Sequence, residues 1–176
     1  MTSSQFFAAL NSPWVPGLIA AHLYVLFFAC LAFSFRYLPD RVATQFGLLG
    51  RPKGHMSRRT YLIFITVFSV WFPMFCLVLM TLLGGMKPES VNIPHKAYWL
   101  SPEHAAETRR FLLTHSLWFA CLGLGFLFGL HFVLLRANRQ QPPRLPWGLL
   151  LVLAGCFAGG MIIWGTALTR HFEHVG

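Results

Sequence analysis

Three histidines are the residues with the clearest capacity for chemistry. His22, His115 and His171 lie in or just beyond three different long uncharged stretches, each near one end of its stretch. If the stretches are membrane helices, all three imidazoles lie at one membrane level. Helical bundles hold haem with one histidine from each of two helices, and imidazole also binds divalent metals. The spacing allows a haem or divalent-metal site there, while His131, near the opposite end of its stretch, has no partner at its depth.

The other catalytic patterns are missing from the sequence. It contains no H-E-x-x-H, C-x-x-C-H, G-x-S-x-G or Walker motif, and its only aspartate is Asp40. Each uncharged stretch holds one cysteine, and no two are near C-x-x-C spacing, which excludes a disulfide framework and a thiolate metal site. The main interpretation is therefore a protein without a cofactor and without enzymatic activity.

The elements that position these histidines are membrane helices. The chain has 176 residues, of which 56% are hydrophobic and only 11% charged, which excludes a soluble domain. No Asp, Glu, Lys or Arg occurs in residues 1–35, 60–86, 111–135 or 145–169. Because about 20 apolar residues of helix cross a bilayer, we predict one all-α membrane domain over residues 1–176. Its four transmembrane helices are placed at about 17–37, 61–83, 112–135 and 147–169.

Basic residues predict the orientation of this bundle. Nine of the 14 Lys and Arg lie in the first and third loops, on one side, and five lie on the other side. The positive-inside rule then places these two loops in the cytoplasm and both termini outside. The nine are Arg36, Arg41, Arg51, Lys53, Arg58, Arg59, Arg136, Arg139 and Arg144; the five are Lys87, Lys96, Arg109, Arg110 and Arg170. Topology accounts for most of the net charge of +9, so no nucleic-acid partner is expected.

Glycine spacing predicts how the last two helices pack. Gly125 and Gly129 in the third span, and Gly155 and Gly159 in the fourth, form two G-x-x-x-G motifs at similar depths. Small residues at this spacing let two helix backbones approach closely in lipid. We therefore predict a tight antiparallel hairpin of spans three and four, packed through these four glycines.

The first loop predicts a short β-hairpin lying on the bilayer. Residues 42–46 favour a strand, and Gly47, Gly50, Pro52 and Gly54 are turn formers placed before the second span. The basic residues of this loop have two readings. They either attract anionic headgroups or only set the orientation of the chain.

A family resemblance appears in the same loop. The run Leu38-Pro39-Asp40-Arg41-Val42-Ala43-Thr44-Gln45-Phe46 is followed by Gly50-Arg51-Pro52-Lys53-Gly54-His55-Met56-Ser57-Arg58. With its two flanking spans, residues 17–83, this resembles the membrane domain of SdpI-like bacterial immunity proteins. Two positions depart from the family pattern: Gln45 stands where His is usual, and Lys53 where Asp is usual. His55, beside the turn, is a partial substitute for the missing histidine.

The resemblance implies a multi-pass protein of the bacterial inner membrane. Its expected role is that of an immunity-like, sensor-partner or envelope accessory protein, with the bilayer, a membrane protein or a second copy as partner. The family-motif residues are Leu38, Pro39, Asp40, Val42, Gln45, Phe46, Gly50, Pro52, Gly54, His55 and Ser57. A haem- or metal-binding redox subunit and a small transporter are the alternatives, although a second inverted half, typical of transporters, is missing.

Overall fold

The computed structural model describes residues 12–83 and 93–173. Within these ranges the chain forms four long helices and one short one, α1 Trp14–Ser34, α2 Arg58–Leu83, α3 Lys96–Trp99, α4 Ala105–Asn138 and α5 Trp147–Glu173. The two strands, β1 Arg41–Phe46 and β2 Pro52–Ser57, lie between α1 and α2. Lys87, which belongs to the basic-residue count, lies outside the described residues.

The four long helices confirm the four predicted spans. Each is long and apolar enough to cross a membrane. α1 begins and ends three residues earlier than predicted, at residues 14 and 34 instead of 17 and 37. The backbone N–H groups of Tyr37 and Leu38 both donate to the Ser34 carbonyl, which closes the helix in a turn. Pro39 then disfavours helical backbone at the preceding residue.

Helix α4 is the centre of the bundle. Its 34 residues correspond to about 51 Å at 1.5 Å per residue, more than a bilayer core requires. It packs against α1, α2 and α5, and the main apolar cluster lies where the first two meet it. That cluster consists of Phe27, Leu31, Ile65, Leu124 and Leu127. In α5 the described buried residue is Phe172, at the end of the helix, so most of α5 faces outward.

The predicted hairpin is also confirmed. β1 and β2 pair antiparallel, with Arg41 opposite Ser57 and Phe46 opposite Pro52, and the register shifts on either side of Gln45. Such an irregularity increases local twist and bends the strand. A second apolar cluster, formed by Leu38, Val42 and Tyr61, joins the start of the hairpin to α2.

The packing of α4 on α5 differs from the prediction. The two helices do pack together, but Gly125, Gly155 and Gly159 have open space where a side chain would begin. Two leucine contacts bring the helices together instead. Leu153 of α5 packs against Gly129 of α4, and Leu122 of α4 packs against Gly160 of α5. The matched G-x-x-x-G pairing was therefore wrong, because leucines fill single glycine notches instead of the backbones meeting.

Candidate functional site: a strapped hairpin and a membrane groove

The hairpin, residues 41–57, lies across one end of the helical bundle. Its turn is closed by hydrogen bonds from the Gly47 N–H to the Arg51 carbonyl and from the Gly50 N–H to the Gly47 carbonyl, both 2.8 Å. Gly50 has a positive φ of 70°, a conformation that favours glycine. Its carbonyl accepts a 3.0 Å bond from the N–H of Leu145, just before α5. The turn is thus fixed to the third loop, and both loops lie at the same end of the bundle.

Asn138, the last residue of α4, holds the middle of the hairpin. Its Oδ1 accepts a 2.7 Å hydrogen bond from the Ala43 N–H, and its Nδ2 donates to the Ala43 carbonyl at 2.9 Å. Ala43 is fully buried and Asn138 nearly so. The amide therefore satisfies both backbone groups of Ala43, as a neighbouring strand would.

Arg58 fixes the base of the hairpin. Its Nη1 donates to the carbonyls of Phe35 and Leu38, at 3.1 and 3.0 Å, which follow the end of α1. Its Nη2 lies 2.9 Å from the Asp40 carboxylate, whose side chain is 90% exposed. The guanidinium also lies over the Phe35 ring, 4.4 Å from the ring centre. Arg58 thus links the start of α2 to the chain that leaves α1.

Below the hairpin, three side chains from three helices form a polar triad, Ser34, Tyr61 and His131. The Ser34 hydroxyl donates to the Cys30 carbonyl at 2.6 Å, so its oxygen accepts from His131 Nε2 at 2.9 Å. Nδ1 then accepts from the Tyr61 hydroxyl at 2.8 Å. A neutral imidazole satisfies every contact. The expectation that His131 has no partner at its depth was wrong, because its partners are hydroxyl groups.

The family-motif residues serve the hairpin in several ways. Leu38 is buried at the start of the hairpin, Val42 is buried within β1, and Asp40 pairs with Arg58. The Ser57 hydroxyl accepts from the Thr60 N–H at 3.1 Å and so caps the start of α2. A side chain at Gly54 would begin 2.7 Å from the Gln45 amide oxygen. Gln45 and His55 are both exposed on the strands, whereas Phe46 and Pro52 face each other beside the turn, and Pro39 is exposed before it.

The three histidines of the proposed metal or haem site do not share one environment. His22 is exposed, and its Nδ1 bonds the Leu18 carbonyl of its own helix at 2.8 Å. His115 and Trp164 join α4 to α5 through two 3.0 Å bonds, each between a ring nitrogen and the other residue's carbonyl. His171 stacks on Phe111 with 3.5 Å between ring centres. Over the ranges 12–83 and 93–173, no three His, Cys, Asp or Glu side chains form a metal-binding group.

His115 and His171 do line one cavity of about 1260 Å³ between α4 and α5. We call it the α4–α5 groove. It runs from the charged side chains of Glu107, Arg110 and Arg170 to Leu122 and Gly160. The lining between these ends is largely apolar and aromatic. The groove lies at the end of the bundle opposite the hairpin.

Comparisons with protein-family models, with curated proteins and with solved structures find no match to this chain. The fold by itself defines the class: a multi-pass helical membrane protein with a two-stranded hairpin between its first two helices. Sequence reasoning missed Asn138 and the triad, although each had a signal. Both Asn138 and His131 are polar residues on α4, and polar residues inside helical membrane bundles usually find a hydrogen-bond partner.

Proposed function

We propose that the chain is an SdpI-like, non-enzymatic accessory protein of the bacterial inner membrane, which binds another membrane protein through its hairpin. The support from the sequence is the resemblance of the first loop to the motif of that family. The support from the fold is that the motif residues form or anchor the hairpin. Leu38 and Val42 join it to the following helix, Gly50 makes its turn, and Ser57 caps that helix.

The outer surface of the hairpin is the observation that carries this proposal. Leu48 and Leu49, in the turn, are 92% and 78% exposed, and the side chains of Arg51 and Lys53 beside them are exposed as well. An apolar tip with cationic sides is typical of a binding surface. Because Asn138, Arg58 and Leu145 already hold the hairpin in place, binding a partner costs it little further conformational entropy.

The buried polar groups support a structural role over a catalytic one. Ser34, Tyr61 and His131 are at most 3% exposed, and each is used in the contacts that join three helices. A substrate would have to break these bonds to reach the imidazole. A buried polar network of this kind, with every member hydrogen-bonded, holds the helices under the hairpin in one arrangement.

The orientation belongs to the same proposal. The hairpin and the third loop carry or adjoin nine of the 14 basic residues, so the positive-inside rule places this end of the bundle in the cytoplasm. The partner surface would then be cytoplasmic, at the level of the headgroups. Both termini would lie on the outer side.

Site-specific photocrosslinking in native membranes tests the proposal. A photoreactive residue at Leu48 should give a discrete protein adduct, whereas one at Val152, 64% exposed on α5, should not. Asn138→Ala, which releases the hairpin, should weaken the Leu48 adduct at equal protein abundance. Adducts with lipid alone from position 48, or the same adducts from both positions, would contradict a hairpin-bound protein partner.

A further inference from the structure

We infer that the α4–α5 groove binds an anionic phospholipid from the leaflet opposite the hairpin. The phosphate would lie between Arg110 and Arg170, and an acyl chain would extend along the groove towards Leu122 and Gly160. The ligand is a lipid of the bilayer itself, recognised by the negative charge of its headgroup. The inference concerns the other end of the molecule and does not depend on what the hairpin binds.

The length of the groove matches one leaflet. From Arg110 to Leu122 the helix α4 advances 12 residues, about 18 Å at 1.5 Å per residue. From Gly160 to Arg170 the antiparallel α5 advances about 15 Å by the same rise. Half of a hydrocarbon core about 30 Å thick is about 15 Å. The groove therefore begins at headgroup level and ends near the bilayer midplane.

The two ends of the groove differ in polarity as the two ends of a lipid do. At the mouth, Arg110 and Arg170 are exposed, and in the described part of the chain neither guanidinium has an ion-pair partner. Glu107, the one carboxylate in the lining, lies 3.8 Å from His104 Nδ1. The mouth is therefore net cationic. Deeper in the groove, Ile163, Trp164 and Leu122 offer apolar contacts.

One buried polar atom at the mouth also lacks a partner. His171 Nε2 is buried and accepts or donates no hydrogen bond within residues 12–83 and 93–173. A buried polar atom left unpaired costs free energy, and a phosphate or glycerol oxygen would satisfy it. The ring is held in place by its stack on Phe111 and by contact with Trp99, 4.7 Å between centres. The unpaired nitrogen thus belongs to a ring that lines the groove together with the two arginines.

The shape of the groove favours a lipid over a compact ligand. Its volume of about 1260 Å³ exceeds the roughly 300–1,000 Å³ of ordinary small-molecule sites. Ile163 and Ala167 of α5 line the groove and are exposed, Ile163 to 71%, so the groove is not enclosed. The groove therefore opens sideways, towards the hydrocarbon, where an acyl chain can enter without crossing water.

Native mass spectrometry of the detergent-purified full chain tests this inference, with phosphatidylglycerol and phosphatidylcholine of the same acyl chains as probes. The wild type should retain phosphatidylglycerol preferentially. The double variant Arg110→Gln/Arg170→Gln should lower its affinity about tenfold, because charge-assisted hydrogen bonds are lost. Arg51→Gln/Lys53→Gln removes the same charge from the hairpin and should change nothing.

A second variant tests the groove itself. Ala167→Trp fills the middle of the lining and should reduce retention of both lipids, while a thermal melt in detergent verifies folding. Equal retention of the two lipids by the wild type would overturn the inference. So would equal losses in the two double variants, or unchanged retention in a folded Ala167→Trp protein. If that variant instead converts a dimer to a monomer and lipid retention is unchanged, the groove holds a second copy and the inference fails.

Discussion

The side chain of Asn138 and the backbone of Ala43 form two hydrogen bonds, of 2.7 and 2.9 Å, between the end of α4 and the middle of β1. A two-stranded hairpin alone is at best marginally stable in water. This pair gives the hairpin the equivalent of a third strand and ties it to the central helix. We regard it as the main contact that makes the hairpin a rigid part of the protein.

The first prediction concerns Asn138→Ala. The substitution leaves the buried N–H and C=O of Ala43 without partners, so we expect a loss of about 2 kcal/mol and faster amide exchange throughout residues 41–57. Unfolding by SDS in mixed micelles and hydrogen exchange measure the two effects. Gln140→Ala, at an exposed position two residues further on, is the control and should leave both unchanged. Equal exchange rates in the two variants would mean that Asn138 does not hold the hairpin.

A second prediction addresses the triad. Tyr61→Phe removes one donor to His131, and we expect a loss of about 1 kcal/mol, within the range of interhelical hydrogen bonds in membranes. His131→Ala should cost about 2 kcal/mol, because it leaves the Tyr61 hydroxyl unpaired, removes one of the two contacts of the Ser34 hydroxyl and opens a cavity. In the His131→Ala background, Tyr61→Phe should then cost much less.

The same SDS titration measures this cycle. Phe132→Ala is the matched control, since Phe132 is 49% exposed and faces outward, where lipid replaces it. Strictly additive losses for Tyr61 and His131 would show that the two side chains do not interact.

The third prediction separates the ion pair of Arg58 with Asp40 from its hydrogen bonds to backbone carbonyls. The Asp40 carboxylate is 90% exposed, and exposed ion pairs contribute little, so Asp40→Asn should change stability by less than about 0.5 kcal/mol. Arg58→Gln also loses the bonds to the Phe35 and Leu38 carbonyls, and we expect a cost of about 1–2 kcal/mol. Chemical unfolding of both variants decides the question. Equal costs would indicate that the ion pair, not carbonyl binding, gives Arg58 its effect.

A fourth prediction uses the turn of the hairpin. Gly50→Ala forces a side chain onto a residue with φ of 70° and places its Cβ 3.3 Å from the Leu145 carbonyl oxygen. We expect a loss of roughly 1–2 kcal/mol from both effects. Gly148→Ala, near the start of α5, meets open space and should be neutral or slightly stabilising. The melting temperatures in detergent should therefore move apart, and a neutral Gly50→Ala would contradict the observed turn.

The features that sequence could predict are those set by local pattern. The uncharged stretches defined the four helices, and the β-favouring residues 42–46 with the following glycines and proline defined the hairpin. The contacts that join these elements were missed because they depend on side chains distant in the chain. Ser34 and His131 are separated by 97 residues, and nothing in either neighbourhood identifies the other.

The glycine motifs also show that contacts between helices could not be predicted from local sequence. The sequence shows which residues are small and how they are spaced, but it does not show which of them contacts a neighbouring helix. Gly129 was in a predicted motif and does receive Leu153, whereas Gly160, which receives Leu122, was not. The rotation of α5 about its own axis decides this, and that rotation depends on contacts such as the His115 and Trp164 pair.

The central claim is that the four helices cross a bilayer and leave the hairpin and the α4–α5 groove mouth on opposite faces. A membrane-impermeant thiol reagent tests it on single-cysteine variants, Lys53→Cys in the hairpin and Glu103→Cys before α4, with the four native cysteines replaced by alanine. In sealed spheroplasts the account predicts labelling of position 103 from outside and of position 53 only after the membrane is opened. Labelling of both positions from the same side would contradict it.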